Sequence, residues 1–361
     1  MTYALAAAGT GGHVYPALSV ADALVDSGVS VGDIVFFGGD RMEASAVPNR
    51  GYEFVGVPLQ GLRRSLSLSN LRIPSVVWKA VKRIADEMRR RETRAMTAFG
   101  GYVSVPAAWA ARRSGAALFV QEQNAVPGLA NRIVSPRASA SFVAFPEAGD
   151  RLRRTRLVGN PLRREFAGFD RATLRAAGRE RYGIRDDRLV LGVLGGSLGA
   201  RVLNDLTERI ADAHDADRLG IVHLTGGDHL DTVVRRAQAS PVHWHPLAFE
   251  DRMDLFYASV DVVLSRAGAL TISELAATGT PAVVVPYAAG TAGHQRANAS
   301  HLERSGGVVV VAEEDLDRVP VEIEQLLANE PRRLAMANAA AAEGRPGAAQ
   351  TIAETLMDAA R

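Results

Sequence analysis

Twice along this chain a short apolar run ends in a cluster of glycines and gives way to a helical pattern, and this repeat limits the possible folds more than any other feature. In the first copy residues 3–8 read as a strand, Gly9-Thr10-Gly11-Gly12 as a loop, and Pro16 to Val25 as a helix with proline in its first turn. In the second, Leu189 to Leu194 is the strand, Gly195-Gly196-Ser197-Leu198-Gly199 the loop, and Ala200 to Ala211 the helix. Further strands are expected at Ile34–Phe37, Ala116–Val120, Ile221–Leu224, Asp261–Leu264 and Ala282–Val285, separated by helical or loop sequence. That alternation is the mark of parallel sheets with crossover helices, so the fold class is α/β, with two doubly wound Rossmann-like lobes, each carrying its own glycine turn.

A length of 361 residues at 47% hydrophobic content is too long for one ordinary core and suits two domains. The turn-forming stretch Gly159-Asn160-Pro161-Leu162-Arg163 sets the boundary, giving an N-terminal domain over 1–163 and a C-terminal domain over 164–341. A last helix, within about 342–361, is expected to pack back on the first lobe. Met1 to Ala8 lacks a basic leading region and runs straight into a glycine loop, which reads as a strand and not as a secretory signal. Cysteine is absent, which excludes disulfide frameworks, iron–sulfur clusters and cysteine-ligated zinc. No uninterrupted apolar run reaches the 18 or so residues needed to span a bilayer.

Charge is segregated. Residues 1–164 hold 22 Lys+Arg against 12 Asp+Glu, while the remainder holds 20 against 28. A basic lobe implies an anionic partner: phosphate, a membrane surface or nucleic acid. Within it, Val77, Val81, Ile84 and Met88 recur at helical spacing beside Trp78, Lys79, Lys82 and Arg83, after a loop bearing Leu62, Leu66, Leu68 and Leu71. Val77, Val81, Ile84 and Met88 are expected to face the core, and Trp78 with Leu66, Leu68, Leu71 and the basic residues to meet an anionic leaflet. Residues 63–94, with ten Lys+Arg against three Asp+Glu, have only Trp78 for base stacking, which argues against a nucleic-acid partner.

Both glycine loops join a strand end to a helix start, where backbone N–H groups and the helix dipole favour phosphate. Either could equally be a structural turn, and neither has the G-x-G-x-x-G spacing of a nicotinamide or flavin fold or the lysine of a P-loop. His13, at the mouth of the first loop, has the chemistry to accept a proton from an attacking hydroxyl or to bond a diphosphate. Ser197 is placed to donate to phosphate. Ser265 to Leu275 is the most specific segment: a helix starting near Ala269 aims its first N–H groups at a phosphate, and Glu274 suits both hydroxyls of a ribose. In the polar cluster His294 to Asn298, the Gln295 amide suits sugar hydroxyls.

Seven ordered motifs, namely Gly9–His13 with Val14-Tyr15-Pro16-Ala17, Gly100–Ser104, Glu122–Gly128, Gly159–Arg163, Gly195–Ala200, Ser265–Glu274 and His294–Asn298, closely resemble the MurG family of lipid-II-forming N-acetylglucosaminyltransferases. The resemblance implies a GT-B fold whose lobes face across a cleft, and inverting, metal-independent transfer of N-acetylglucosamine from UDP-N-acetylglucosamine. The implied acceptor is the C4 hydroxyl of undecaprenyl-diphospho-N-acetylmuramyl-pentapeptide, used at the cytoplasmic face of the bacterial membrane by a peripheral enzyme. It further implies that Ser197 and the helix start at Ala269, Leu270, Thr271, Ile272 and Ser273 meet the donor, Glu274 the ribose, and Gln295 with His294 the sugar. Phe249 is implied at the uracil, Thr10, Gly11, Gly12, Asn124 and Arg163 at the remaining donor and acceptor contacts, and His13 or, second, Glu122 as the base. The chain departs from the family pattern at Ala8, Gln121, Val105–Ala108, Leu198 and Gly293.

A metal-dependent transferase would need an Asp-x-Asp pair at the diphosphate. Asp215 with Asp217 precedes a strand, and Asp315 with Asp317 reads as a helix's acidic first turn, so no metal or other cofactor is expected. A lipid glycosyltransferase or a UDP-N-acetylglucosamine epimerase of the same fold is the nearest rival.

Overall fold

The computed structural model describes residues 1–57, 73–196, 199–215, 217–288 and 293–361. The described chain divides into two compact units, Met1–Arg164 with Pro346–Arg361, and Glu165–Arg345.

In the first unit β1 (Thr2–Ala6), β2 (Ile34–Gly38), β3 (Glu53–Gly56), β4 (Thr93–Ala98), β5 (Ala117–Glu122), β6 (Ala140–Val143) and β7 (Thr155–Leu157) form a parallel sheet in the order β3-β2-β1-β4-β5-β6-β7. Its helices are α1 (Gly11–Asp26), α2 (Glu43–Asn49), α3 (Ile73–Arg90), α4 (Ser104–Ser114) and α5 (Leu129–Val134). The alternation of side chains along β1 explains its unbroken apolar run. Tyr3, Leu5 and Ala7 join one core with Leu18 and Leu24 of α1, while Ala4, Ala6 and Ala8 join the opposite core with Ile84 and Met88 of α3 and Ala107 of α4.

The second unit repeats the plan. Strands β8 (Leu189–Leu194), β9 (Leu219–Leu224), β10 (His243–Leu247), β11 (Val262–Ser265), β12 (Ala282–Val284) and β13 (Val309–Val310) are parallel in the order β10-β9-β8-β11-β12-β13. They are joined by α6 (Arg171–Arg181), α7 (Arg201–Asp212), α8 (Leu230–Ala239), α9 (Met253–Ser259), α10 (Ala269–Thr278), α11 (His294–Arg304), α12 (Arg318–Ala328) and α13 (Glu330–Ala342). The closing helix α14 (Ala348–Ala360) belongs to the first unit, where Ile352, Ala353 and Leu356 enter the core beside α1.

In each sheet the winding reverses once, between β1 and β4 and between β8 and β11. The crevice beyond the carboxyl ends of such a strand pair is where doubly wound folds take ligands. Four of the glycine turns read from the sequence leave these four strands: Gly9 follows β1, Gly100 follows β4, Gly195 follows β8 and Gly268 follows β11, while Gly159 follows β7.

The largest shift of a boundary from expectation is at the first helix. Helix α1 begins at Gly11 instead of Pro16, because Thr10 is extended (φ −129°, ψ 161°) and the chain is helical immediately after it. Gly11, Gly12 and His13 are therefore the first helical turn, and Pro16 in the interior deprives the Gly12 carbonyl of its usual N–H donor four residues on.

Candidate active-site groups

At the first reversal His13 stands in the opening turn of α1, where its imidazole Nδ1 lies 3.3 Å from Thr10 Oγ1. The ring packs on Gly100. That residue has φ +96°, and a Cβ there would lie 2.8 Å from the imidazole, so glycine is required both for the turn and for the room. Burial pushes the His13 pKa below its ordinary value, with the Glu43 carboxylate working against it. Arg163 stacks over the Tyr15 ring at 5.4 Å, and the same ring lies against Gly11, which brings the guanidinium to the glycine turn.

Glu122, at the end of β5, is 2% exposed and saturated with donors. Its Oε1 accepts from the Asn124 N–H at 3.0 Å and from Asn124 Nδ2 at 3.3 Å, and its Oε2 from the Gly128 N–H at 3.0 Å and Asn131 Nδ2 at 2.9 Å. A carboxylate committed to four donors is a clamp on the 123–128 loop, and it fixes Asn124. Buried Gln121, Gln123 and Asn160 extend the clamp: Gln123 Nε2 donates to the Phe99 carbonyl at 2.9 Å and Asn160 Nδ2 to the Gln123 carbonyl at 3.1 Å.

At the second reversal Gly268 precedes α10, whose first-turn N–H groups point out of the helix start. Ile272 does not share that role, since its side chain is 2% exposed and its N–H donates to the Gly268 carbonyl at 3.0 Å. Ala269, Leu270 and Thr271 form the open end, with Ser273 partly exposed one turn further. Glu274 is partly exposed, and its Oε2 accepts from the buried Tyr257 hydroxyl at 2.9 Å. Gln295, in the first turn of α11 after His294, turns its carbonyl inward to the N–H groups of Ala267 (3.2 Å) and Tyr287 (2.8 Å), so its NH2 is what remains to offer a sugar hydroxyl. Phe249, 49% exposed, lies beyond β10 on a loop held by buried Glu250, which accepts from Arg181, the Tyr182 hydroxyl and the Arg252 N–H. Ser197 and Leu198 lie outside the described residues.

Neither Asp-x-Asp pair stands at a reversal. Asp217 precedes β9, at its amino end, within 3.7 Å of Arg185 and Arg188, and Asp317 precedes α12 and pairs with Arg209 at 2.9 Å. Among the described residues no group of three or more His, Asp or Glu could hold a metal ion.

On α3, Val81, Ile84 and Met88 are buried while Trp78 is 58% exposed with Lys79, Lys82 and Arg83 around it. Leu66, Leu68 and Leu71 lie outside the described residues. Sequence reading missed the other half of this surface. Trp109 on α4 is 50% exposed, and an open groove of about 710 Å³ lies between Val77, Trp78 and Val81 on one side and Trp109, Arg112, Arg113 and Arg137 on the other. The signal was there as Trp109 three and four residues before two arginines on one helix. No helix among the described residues is long and apolar enough to cross a membrane.

Comparison with known proteins gives a consistent picture. The glycosyltransferase family 28 N-terminal domain matches residues 3–143 and the family 28 C-terminal domain residues 190–352. The UDP-N-acetylglucosamine–N-acetylmuramyl-(pentapeptide) pyrophosphoryl-undecaprenol N-acetylglucosamine transferase of Salinibacter ruber is 40% identical over 97% of this chain and 94% of its own. Its counterpart in Streptomyces coelicolor is 37% identical over 99% of this chain and 98% of its own. The crystal structure of MurG from Acinetobacter baumannii superposes with a TM-score of 0.78 at 26% identity, covering 99% of this chain and all of that one.

Proposed function

Because the chain belongs to the MurG family of UDP-N-acetylglucosamine–N-acetylmuramyl-(pentapeptide) pyrophosphoryl-undecaprenol N-acetylglucosamine transferases, with the two-domain GT-B fold, we propose that it forms lipid II by inverting transfer, using His13 as base and no metal. It is a glycosyltransferase: N-acetylglucosamine passes from UDP-N-acetylglucosamine to the C4 hydroxyl of the lipid-diphospho-muramyl-pentapeptide. The observation that carries this reading is the placement of the matched glycine motifs at the carboxyl ends of β1, β4, β8 and β11, the strands that flank the two reversals.

In the second unit, the α10 helix start and the turn after β8 receive the donor diphosphate. Glu274 takes the ribose, Phe249 lies by the uracil, and the Gln295 NH2 with His294 meets the sugar. In the first unit, Gly11, Gly12, Asn124 and Arg163 meet the acceptor's diphosphate and sugar. With its hydrogen on Nδ1, facing Thr10 Oγ1, the imidazole presents Nε2 as the basic nitrogen. The acceptor O4 attacks the donor anomeric carbon from the face opposite UDP and gives its proton to Nε2. The new O4–C1 bond forms as the C1–O bond to UDP breaks, and the leaving diphosphate's charge is met by helix-start amides. Glu122, already engaged by four donors, holds the Asn124 loop and does not take the proton.

The Trp78–Trp109 groove and its arginines fit an anionic bilayer surface, which holds the enzyme peripherally beside a lipid-linked acceptor on the cytoplasmic face. Mixing the purified protein with labelled UDP-N-acetylglucosamine, a short-chain lipid-diphospho-muramyl-pentapeptide and a chelator should yield the disaccharide. Folded protein giving no product, or product only when a divalent ion is restored, counts against the reading. Sedimentation with vesicles should need anionic lipid and weaken on Trp78→Ser with Trp109→Ser.

A further inference from the structure

Glu43 has no place in the mechanism above, yet it is the most deeply buried carboxylate near His13. It is 0% exposed at the first position of α2. Its Oε2 accepts from the Gly9 N–H at 3.2 Å, its Oε1 from the Gly39 N–H at 3.0 Å, and the Tyr102 hydroxyl stands 3.5 Å from Oε1. Those three partners sit on the loops that leave β1, β2 and β4, neighbouring strands on both sides of β1. Gly39 is tied to this arrangement by space, since any Cβ there would collide with the Tyr102 hydroxyl. One carboxylate thus ties together the three loops that frame the first reversal.

Glu43 forms no salt bridge among the described residues: its donors are two amides and a distant phenol. A buried carboxylate with these described partners is favoured as an anion by a cation close by. His13 is a titratable group that can supply one, beside the fixed guanidinium of Arg41, which faces the same Tyr102. Thr10 and Gly100, which the imidazole meets, are uncharged; Asn131 Nδ2 lies on the same side of Gly100, 3.7 Å from where a Cβ would stand, and Tyr102, beside Glu43, is faced by Glu43, Asp40 and Arg41. Of these groups Glu43 is the one that opposes the effect of burial on His13.

We propose that Glu43 is a positioning residue for the transfer: its carboxylate holds the Gly9–His13 turn in register with the β4 loop and favours the imidazolium that forms at His13 as the acceptor hydroxyl loses its proton. The proton stays on His13 Nε2 and is not passed to Glu43. This inference rests on His13 being the base.

The test compares the full-length wild-type protein with Glu43→Gln, Glu43→Asp and His13→Ala, using UDP-N-acetylglucosamine and the short-chain acceptor over a range of pH. Glu43→Gln is expected to lower kcat about tenfold, a fraction of what a general base contributes. It should also move the acid limb of the pH profile, and the His13 ring titration followed by NMR, to lower pH, with donor affinity unchanged. If Glu43→Gln alters only the melting temperature or KM and keeps the wild-type acid limb, Glu43 is merely structural and the inference is overturned. Should Glu43→Gln fail to fold, Glu43→Asp, which shortens the reach of the carboxylate, decides: lowered kcat with the acid limb moved to lower pH supports the inference, and a wild-type acid limb overturns it. If His13→Ala keeps wild-type turnover, the base assignment fails. If His13→Ala is inactive and Glu43→Gln unaffected, only the role of Glu43 does.

Discussion

The two units share one strand plan but equip their reversals differently. Around β1 and β4 the groups are titratable or buried and polar: His13, Glu43, Glu122 and the amides of Gln121, Gln123 and Asn160. Around β8 and β11 stand the glycine turns and the α10 helix start, with Glu274 as a partly exposed carboxylate and the Gln295 amide beside Ala267. A diphosphate needs fixed dipoles that do not change charge during the reaction, whereas a hydroxyl that must be deprotonated needs a group that does. Under the proposed mechanism the first unit adds a proton acceptor to its contacts with the acceptor, and the second unit serves the donor. Variants should divide accordingly, into those that change turnover and those that change donor affinity.

The strongest test is His13→Ala, for which kcat should fall by about 10²–10⁴-fold, the usual contribution of a general base. Calorimetry with UDP-N-acetylglucosamine should give unchanged affinity. A loss of donor affinity instead would erase the distinction between the units. Glu274→Ala should do the reverse, weakening donor binding by about 10–100-fold through lost charge-assisted bonds, with kcat at saturation within a few-fold of wild type. Tyr257→Phe, which removes one donor to Glu274 Oε2, should weaken donor binding by about two- to tenfold.

How far these sites could be read in advance follows the same division. The strands β1, β8, β11 and β12 are unbroken apolar runs that cross a core covered on both faces, so they show in the sequence. By contrast β4, Thr-Arg-Ala-Met-Thr-Ala, is as buried over its last four residues but lacks branched aliphatics, and β7 is a fully exposed edge. Neither gives a periodic signal. The glycine turns and the position of Glu274 in the helix after β11 were legible because each is local to one strand–helix junction. Glu43 was not, because an acid at the first position of a helix reads as dipole-favourable, and only the pairing of β2 with β1 brings it to Gly9. Glu122 was visible as a candidate group, but its four donors come from residues 124, 128 and 131, whose convergence depends on the loop's path.

Glu122→Gln separates the clamp from the base. The substituted amide must turn an NH2 toward groups that are already donors, so the first unit should lose about 1–3 kcal/mol of stability in denaturant unfolding. The acid limb of turnover should stay in place, whereas abolished turnover in a folded variant would return the proton to Glu122.

The smallest effect contrasts two histidines. His223 in β9, like His13, is held below its ordinary pKa by burial, with Arg236 adding to the effect, and it reaches about 3. The cause of its shift is structural: Nε2–H donates to Asn204 Oδ1 at 2.9 Å, the ring stacks on Trp244, and the buried Nδ1 has no partner to receive a second N–H. Unfolded, this histidine takes a proton near pH 6.5; folded, it does not until about pH 3. Its contribution is therefore complete above pH 6.5 and is lost as pH falls, at no more than about 1.4 kcal/mol per pH unit. Unfolding measured from pH 7 to pH 5 should show that slope in the second unit, flattened in His223→Leu, with turnover at pH 7.5 retained in the folded variant. A depressed histidine pKa is thus shared by both units, and the proposed base differs from the core histidine in standing at a strand reversal. If His223→Leu abolished turnover while staying folded, burial would no longer distinguish a core histidine from a base, and the contrast between the units would have to be redrawn.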